Sequence, residues 1–171
     1  MKTFRHILAG LALAFVTALS FAPSAQAQAL TDSAENAIVD AVLRGQALGA
    51  PATFYVALDT TACSDSAAGT EVTGGSYARV AVTSSLANWA GTQSAGSTTA
   101  SSGTGGQTSN NAAITFPAPT ANWGTISHFR LVSAPTGGTT WFCQALTASK
   151  TVNSGDAAPS FAIGAMTFTF Q

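Results

Sequence analysis

Residues 77–83, Tyr-Ala-Arg-Val-Ala-Val-Thr, alternate one by one. Tyr77, Arg79, Ala81 and Thr83 fall on one side, and Ala78, Val80 and Val82 on the other. A period of two that includes β-branched residues marks an extended strand with one face on a core and one face outward. Working outward, residues 53–58 (TFYVAL) form an earlier strand, and the turn-rich residues 59–75 separate the two. Downstream, residues 112–116 are closed by Pro117 and Pro119, and residues 123–133, 140–146, 149–153 and 161–170 complete the strand set. In the last segment Phe161, Ile163 and Ala165, then Met166, Phe168 and Phe170, alternate with a slip near Gly164, as a bulge produces. Short strands divided by Gly, Pro and Ser turns predict a mainly β fold. The expected form is an antiparallel β-sandwich, jelly-roll-like or immunoglobulin-like, rather than a parallel sheet.

One helix precedes the strands, at about residues 32–44. Asp32 is placed to cap the first free N–H groups, with Glu35 three positions on as a capping box requires. Ala34, Ile38, Ala41 and Val42 then recur at helical spacing, and Gly45 or Gly49 ends the helix. A helix this short is marginal alone, so it is expected to dock on the sheet or on a neighbouring subunit. Ile38 and Val42 are therefore candidate contact residues.

The N-terminus has a different character. Lys2, Arg5 and His6 are followed by the uncharged, mostly apolar residues 7–21 and then by Ala-Pro-Ser-Ala-Gln-Ala-Gln-Ala at 22–29. Basic, apolar and small-residue segments in that order are the layout of a secretory signal peptide. Cleavage is expected after Ala27, with Ala29 as the second choice, leaving residues 28–171 as one domain in a secreted or periplasmic protein. The apolar run is short for a membrane span. After cleavage four bases remain (Arg44, Arg79, Arg130 and Lys150) against seven acids, a formal charge of −3. So few scattered charges make no basic track for nucleic acid, and no charged surface for an anionic membrane. Cys63 and Cys143 both survive cleavage. In an oxidising compartment they are candidates for a disulfide.

Residues 91–111 (GTQSAGSTTASSGTGGQTSNN) carry no charge and no aromatic side chain. They bury too little to offset the entropy of ordering them, and read as a flexible loop or as a receptor-facing or assembly loop. Beside it, Trp89 is the tryptophan expected to be exposed, as a contact residue or as a stacking face for a cell-surface glycan. Trp123 and Trp141, with Phe54, Phe116, Phe129, Phe142 and Phe161, are expected in the core.

A search for chemistry finds little. The histidine left after cleavage, His128, lies mid-strand and faces away from Phe129. It would need Asp59 or Asp156 brought to it in space to act as a base. The other acids sit on the helix or in turns. No Asp-rich calcium loop or His/Cys cluster at metal spacing occurs. Thr73-Gly74-Gly75-Ser76 and Thr136-Gly137-Gly138-Thr139 read as hairpin turns, since neither has the lysine and helix of a phosphate loop. No catalytic residue, cofactor or metal is expected, and the chain reads as a non-enzyme.

Glu71-Val72-Thr73-Gly74-Gly75-Ser76-Tyr77-Ala78-Arg79 resembles a segment of many phage tail-fibre-type structural proteins. Further pieces look like the same family in the same order. They are 109–117 (SNNAAITFP), 123–129 (WGTISHF), 145–156 (ALTASKTVNSGD) and the closing 161–170, and residues 29–32 resemble the start of such proteins. The resemblance spans about residues 29–171. It implies a small all-β virion protein, located in the virion, that self-assembles as a homo-oligomer or joins other phage structural proteins. It carries over no catalytic residues. A leader is not part of that pattern. A second expectation therefore stands beside the first: an exported glycan- or surface-binding module recruited from a phage gene.

Overall fold

The computed structural model describes residues 20–21 and 30–170. The expected leader therefore lies outside the described residues, apart from Ser20 and Phe21. The elements are β1 (Ser20–Phe21), α1 (Asp32–Leu43), β2 (Thr53–Asp59), β3 (Val80–Thr83), β4 (Gln107–Ser109), β5 (Ile114–Thr115), β6 (Gly124–Val132), β7 (Thr140–Val152), β8 (Ser160–Phe161) and β9 (Thr167–Thr169). The fold is mainly β, with one short helix. The main sheet is antiparallel, in the order β3-β2-β6-β7. Two small sheets, β1-β8-β5 and β4-β9, complete the set, and their pairings are antiparallel except for β1 with β8.

The small sheets close over one face of the main sheet. Val56 and Leu58 of β2, Ile126, Phe129 and Leu131 of β6, and Leu146 and Val152 of β7 share one buried cluster with Phe161 and Phe168. Phe129 joins the layers, its ring 5.1 Å from that of Phe161 and 6.1 Å from that of Phe168. Ile126 and Phe129, three residues apart, cannot share a face in a regular strand. A register shift between Ile126 and His128 reconciles them, and both are fully buried.

The connection 60–79 runs beside the end of β2, where Val72 N–H donates to the Leu58 carbonyl at 3.0 Å and Glu71 bridges Asp59, and α1 packs against β7. Cys143 pairs with Arg130 across β6 and β7, and is bonded to Cys63 in that connection, with Cα atoms 5.9 Å apart. The helix is anchored at its start. Thr31 N–H donates to the Trp141 carbonyl at 3.2 Å, and Asp32 N–H to that of Asp65 at 3.1 Å. The helix begins as expected, but Thr31 rather than Asp32 is the N-cap, and its hydroxyl caps no helix N–H. That hydroxyl donates instead to the Thr140 carbonyl at 2.5 Å, tying the helix to β7. Arg44 ends the helix and Gly45 takes φ +68, a left-handed position that suits glycine.

Several expected strands have other bounds. Residues 77–79 are not strand, because the side chains of Tyr77 and Arg79 are engaged by Glu71. Residues 140–146 and 149–153 merge into the 13-residue β7, whose exposed stretch 147–149 hides the continuity in sequence. Residues 161–170 divide into β8 and β9 around a turn at Gly164 (φ +73) instead of one bulged strand. The low-complexity residues 91–111 end in β4, and Asn110 is buried, so the irregular stretch is shorter than its composition suggests. The Asn110 side chain explains this. It donates to the Ala112 and Ala162 carbonyls at 2.8 Å each and accepts from Met166 N–H at 2.8 Å.

The Cys63–Cys143 bond closes a loop of 80 residues. In the chain-entropy account such a loop contributes about 4–5 kcal/mol. The double variant Cys63→Ala/Cys143→Ala is expected to melt well below the parent without reductant, and the two should converge when reductant is added. Thermal unfolding followed by circular dichroism checks this.

Candidate functional site

Two features dominate: a buried ionic network on the outer face of the main sheet, and an open apolar groove at the β4-β9 end. In the network, Arg130 (β6) and Asp59 (β2) are 5 % and 0 % exposed. The Arg130 guanidinium forks onto Asp59, Nε to Oδ2 at 2.5 Å and Nη2 to Oδ1 at 2.9 Å, and Nη2 also reaches Glu71 Oε2 at 3.0 Å. Arg79 forks onto the same Glu71, Nε to Oε1 at 2.7 Å and Nη2 to Oε2 at 2.6 Å. Its Nη1 donates to the carbonyls of Ala134 and Gly137 in the β6–β7 turn. Tyr77 completes the set, donating to Glu71 Oε1 at 3.1 Å and accepting from Leu58 N–H at 2.9 Å.

Burial of Glu71 favours its neutral form, but the hydrogen bonds and charge of Arg79, with Tyr77 and Arg130, outweigh it and hold the carboxyl below its ordinary range. Burial raises the Tyr77 phenol far above its ordinary value, and the Glu71 carboxylate adds to the rise. Burial works against the charge on Arg130, yet Asp59 and Glu71 reverse the balance and raise its pKa. Two carboxylates facing two guanidiniums are matched, so the cluster holds structure and offers no idle acid or base.

His128 is half-buried. Its Nδ1 lies 2.9 Å from Ser127 Oγ, and burial lowers its pKa, with Asp59 partly opposing. Asp59 pairs with His128 in register but gives both carboxylate oxygens to Arg130. It is therefore not free to orient the imidazole. Asp156 accepts from Asn153 N–H at 2.7 Å within its own turn. Among the described residues no group of three or more His, Cys, Asp or Glu side chains could hold a metal ion.

The Glu71–Arg79 segment singled out in the sequence proves architectural. Its first and last residues pair with each other, and Trp123 Nε1 donates to the Gly75 carbonyl at 2.9 Å. A Cβ on Gly75 would meet that Nε1 at 3.0 Å, and φ there is +54, so glycine is required twice over. The sequence showed the segment but not its pairing, because Arg130 and Asp59, which complete it, lie in other strands.

The groove, about 640 Å³, is lined by Phe54, Leu86, Trp89, Phe142, Phe168 and Phe170, with a rim that includes Ser84, Thr92 and Gln107 and no charged side chain. The Phe142 and Phe168 rings lie 5.0 Å apart, and Phe170 stands at 88° to Phe142. Trp89, expected to be exposed, is half-buried, edge-on to Phe168 at 5.9 Å and bridged through its backbone to Asn110. It forms a wall of the groove, not a free-standing platform. The two helix candidates lie elsewhere. Ile38 is half-buried, and Val42 is 73 % exposed beside Leu43 at 79 %. Only Ala34 of the helix is fully buried. The structure thus keeps the helix and groove candidates apart. Phe170 and Leu86 on the groove rim, both exposed, were not singled out by sequence.

The profile of one protein family, described as podophage GP4 fiber I protein gp80, matches residues 29–169. The chain belongs to this family. A search of curated proteins finds no match. The family is one of phage fibre structural proteins, and the matched residues include the network, the disulfide and the groove residues other than Phe170.

Two outcomes follow from the network. Arg130→Ala leaves the buried Asp59 carboxylate unpaired and is expected to cost about 3–5 kcal/mol of stability, read by chemical denaturation. Both Glu71 and His128 have folded pKa values below their ordinary 4.5 and 6.5. Each contribution is present above the ordinary value and lost as pH falls through the folded one. Melting temperature should therefore decline in two stages on acidification, beginning below pH 6.5 and again below pH 4.5. Glu71→Gln, though less stable throughout, should show a smaller second decline.

Proposed function

We propose that this chain is an exported structural subunit that builds or attaches to a phage-type particle through apolar surface, without catalysis. Membership of a fibre structural family supports the particle role. The observation that carries the contact mechanism is exposed apolar surface, including Val39, Val42 and Leu43 on α1 and Leu86 and Phe170 at the groove, with Leu48 and Ile163 exposed elsewhere. The helix is tied to β7 through Thr31, and Ala34 is its buried residue, so Val39, Val42 and Leu43 remain exposed for a neighbour. Copies of the same chain and other particle proteins are the expected partners. The basic, apolar and small-residue order at the N-terminus supports export with removal of residues up to Ala27 or Ala29.

A second reading rests on the groove itself. An aromatic wall with hydroxyl and amide groups on its rim, and no charge, suits the apolar face and hydroxyls of a neutral glycan.

Mass spectrometry across density-gradient fractions tests the first reading. A chain starting near Gln28 or Leu30 in dense particles supports it, and recovery only as a small soluble species opposes it. Val42→Asp/Leu43→Asp should abolish particle association with little change in melting temperature, since both positions are exposed. Polysaccharide binding lost on Trp89→Ala but kept in the helix variant would select the glycan reading.

A further inference from the structure

Ser20 and Phe21 lie outside the matched residues 29–169, yet they complete a sheet. They run parallel to β8, Ser20 opposite Ser160 and Phe21 opposite Phe161, so that β8 lies between them and β5. Phe21 is 1 % exposed and belongs to the central core cluster. Its ring lies 5.1 Å from that of Phe161 and 6.3 Å from that of Phe116, edge-on to the latter. Two residues therefore cover the main-chain edge of β8 and fill an aromatic slot. Both precede Ala27, within the stretch whose layout marks a removable leader. Once they are gone, β8 becomes an unpaired edge and the Phe116–Phe161 slot is left uncovered. An open edge beside an apolar slot is a template for another strand.

We propose that the edge of β8 and its slot form a strand-acceptor site, which in the processed protein takes an extended, uncharged segment of another polypeptide chain carrying a phenylalanine. The present occupant defines that chemistry. The acceptor pairs with an extended backbone parallel to β8, and the residue opposite Phe161 is a phenylalanine enclosed by aromatic rings. A charged residue there would be buried without a counter-charge, at high cost. Strand addition of this kind draws affinity from main-chain hydrogen bonds and specificity from the side-chain slot. A neighbouring subunit in a particle supplies such a segment at high effective concentration. The source of the segment rests on the particle-building reading; the acceptor site does not.

The test uses the full chain carrying Phe21→Ala, which empties the side-chain slot and leaves residues 20–21 held to the β8 edge by main chain alone, open to displacement without processing. The probe is a synthetic peptide of residues 16–25 (VTALSFAPSA), with the same peptide bearing Phe21→Asp as control. The native peptide is expected to bind saturably and raise the melting temperature of the variant by several degrees. The Asp peptide should have no effect, and the unaltered full chain, its slot filled, should not respond. No response to the native peptide, or an equal response to both, overturns the proposal. If the variant does not fold alone, refolding with each peptide decides the matter: only the native one should restore a cooperative melt, and failure of both overturns the site. Peptide binding by a chain absent from dense particles would refute the particle reading while sustaining the acceptor site.

Discussion

The arrangement depends on one buried ion pair, Arg130 with Asp59. Removing an ion from water costs several kcal/mol even after relaxation, so a buried charge must be met where it lies. Arg130 sits in the middle of the main sheet, opposite Ala57 of β2 and Cys143 of β7. Its fork holds the end of β2 and shares Glu71 with Arg79, which continues to the β6–β7 turn. A slip of β2 by one residue would move Asp59 to the other face and strand the guanidinium. The network therefore fixes register, and with it the path of the connection 60–79, which the disulfide pins to the same face.

Register on one face decides packing on the other. With Arg130 outward, Phe129 and Leu131 face inward, and Phe129 meets both Phe161 and Phe168. Strands of two or three residues such as β5, β8 and β9 have no independent stability. They exist because the main sheet presents an aromatic surface in the right place. Asn110 supplies the remaining constraint, satisfying three backbone groups where β4 leaves the groove and the chain turns between β8 and β9.

This explains which parts could be read from sequence. Elements set by local pattern were legible: the helix, the strands around residues 53–58 and 123–133, and the mainly β class. Elements set by distant partners were not. β4 consists of Gln107, Thr108 and Ser109, which have no strand pattern of their own and pair because Phe168 and its neighbours lie beside them. Residues 77–79 alternate like a strand yet leave the sheet, since ionic pairing of Arg79 outweighs a ladder hydrogen bond or two. The same limit applies to contacts. Periodicity placed Ile38 and Val42 on one helix stripe, but the tie of Thr31 to β7 and the burial of Ala34 leave Val42 outside. Trp89 stood out by its place beside the loop, whereas the groove it lines is made by Phe142, Phe168 and Phe170 from distant segments.

The scarcity of charge ties structure to role. Of thirteen charged side chains in the sequence, Asp59, Glu71, Arg79 and Arg130 are consumed in one internal network. Ala, Gly, Ser and Thr dominate much of the remaining sequence, and the formal net charge is −1. Long-range repulsion between copies is then weak, because like charge is what keeps proteins apart in solution. Long-range steering of a partner is equally weak. Association must be decided at short range, by shape and by apolar area removed from water at about 25 cal/mol per Å². The groove rim and the outer side of α1 are among the places where this chain exposes such area. The hydroxyl-rich remainder of the surface offers little that binds elsewhere. Four charges held in one internal network and apolar side chains exposed on α1 and at the groove support the contact mechanism proposed above.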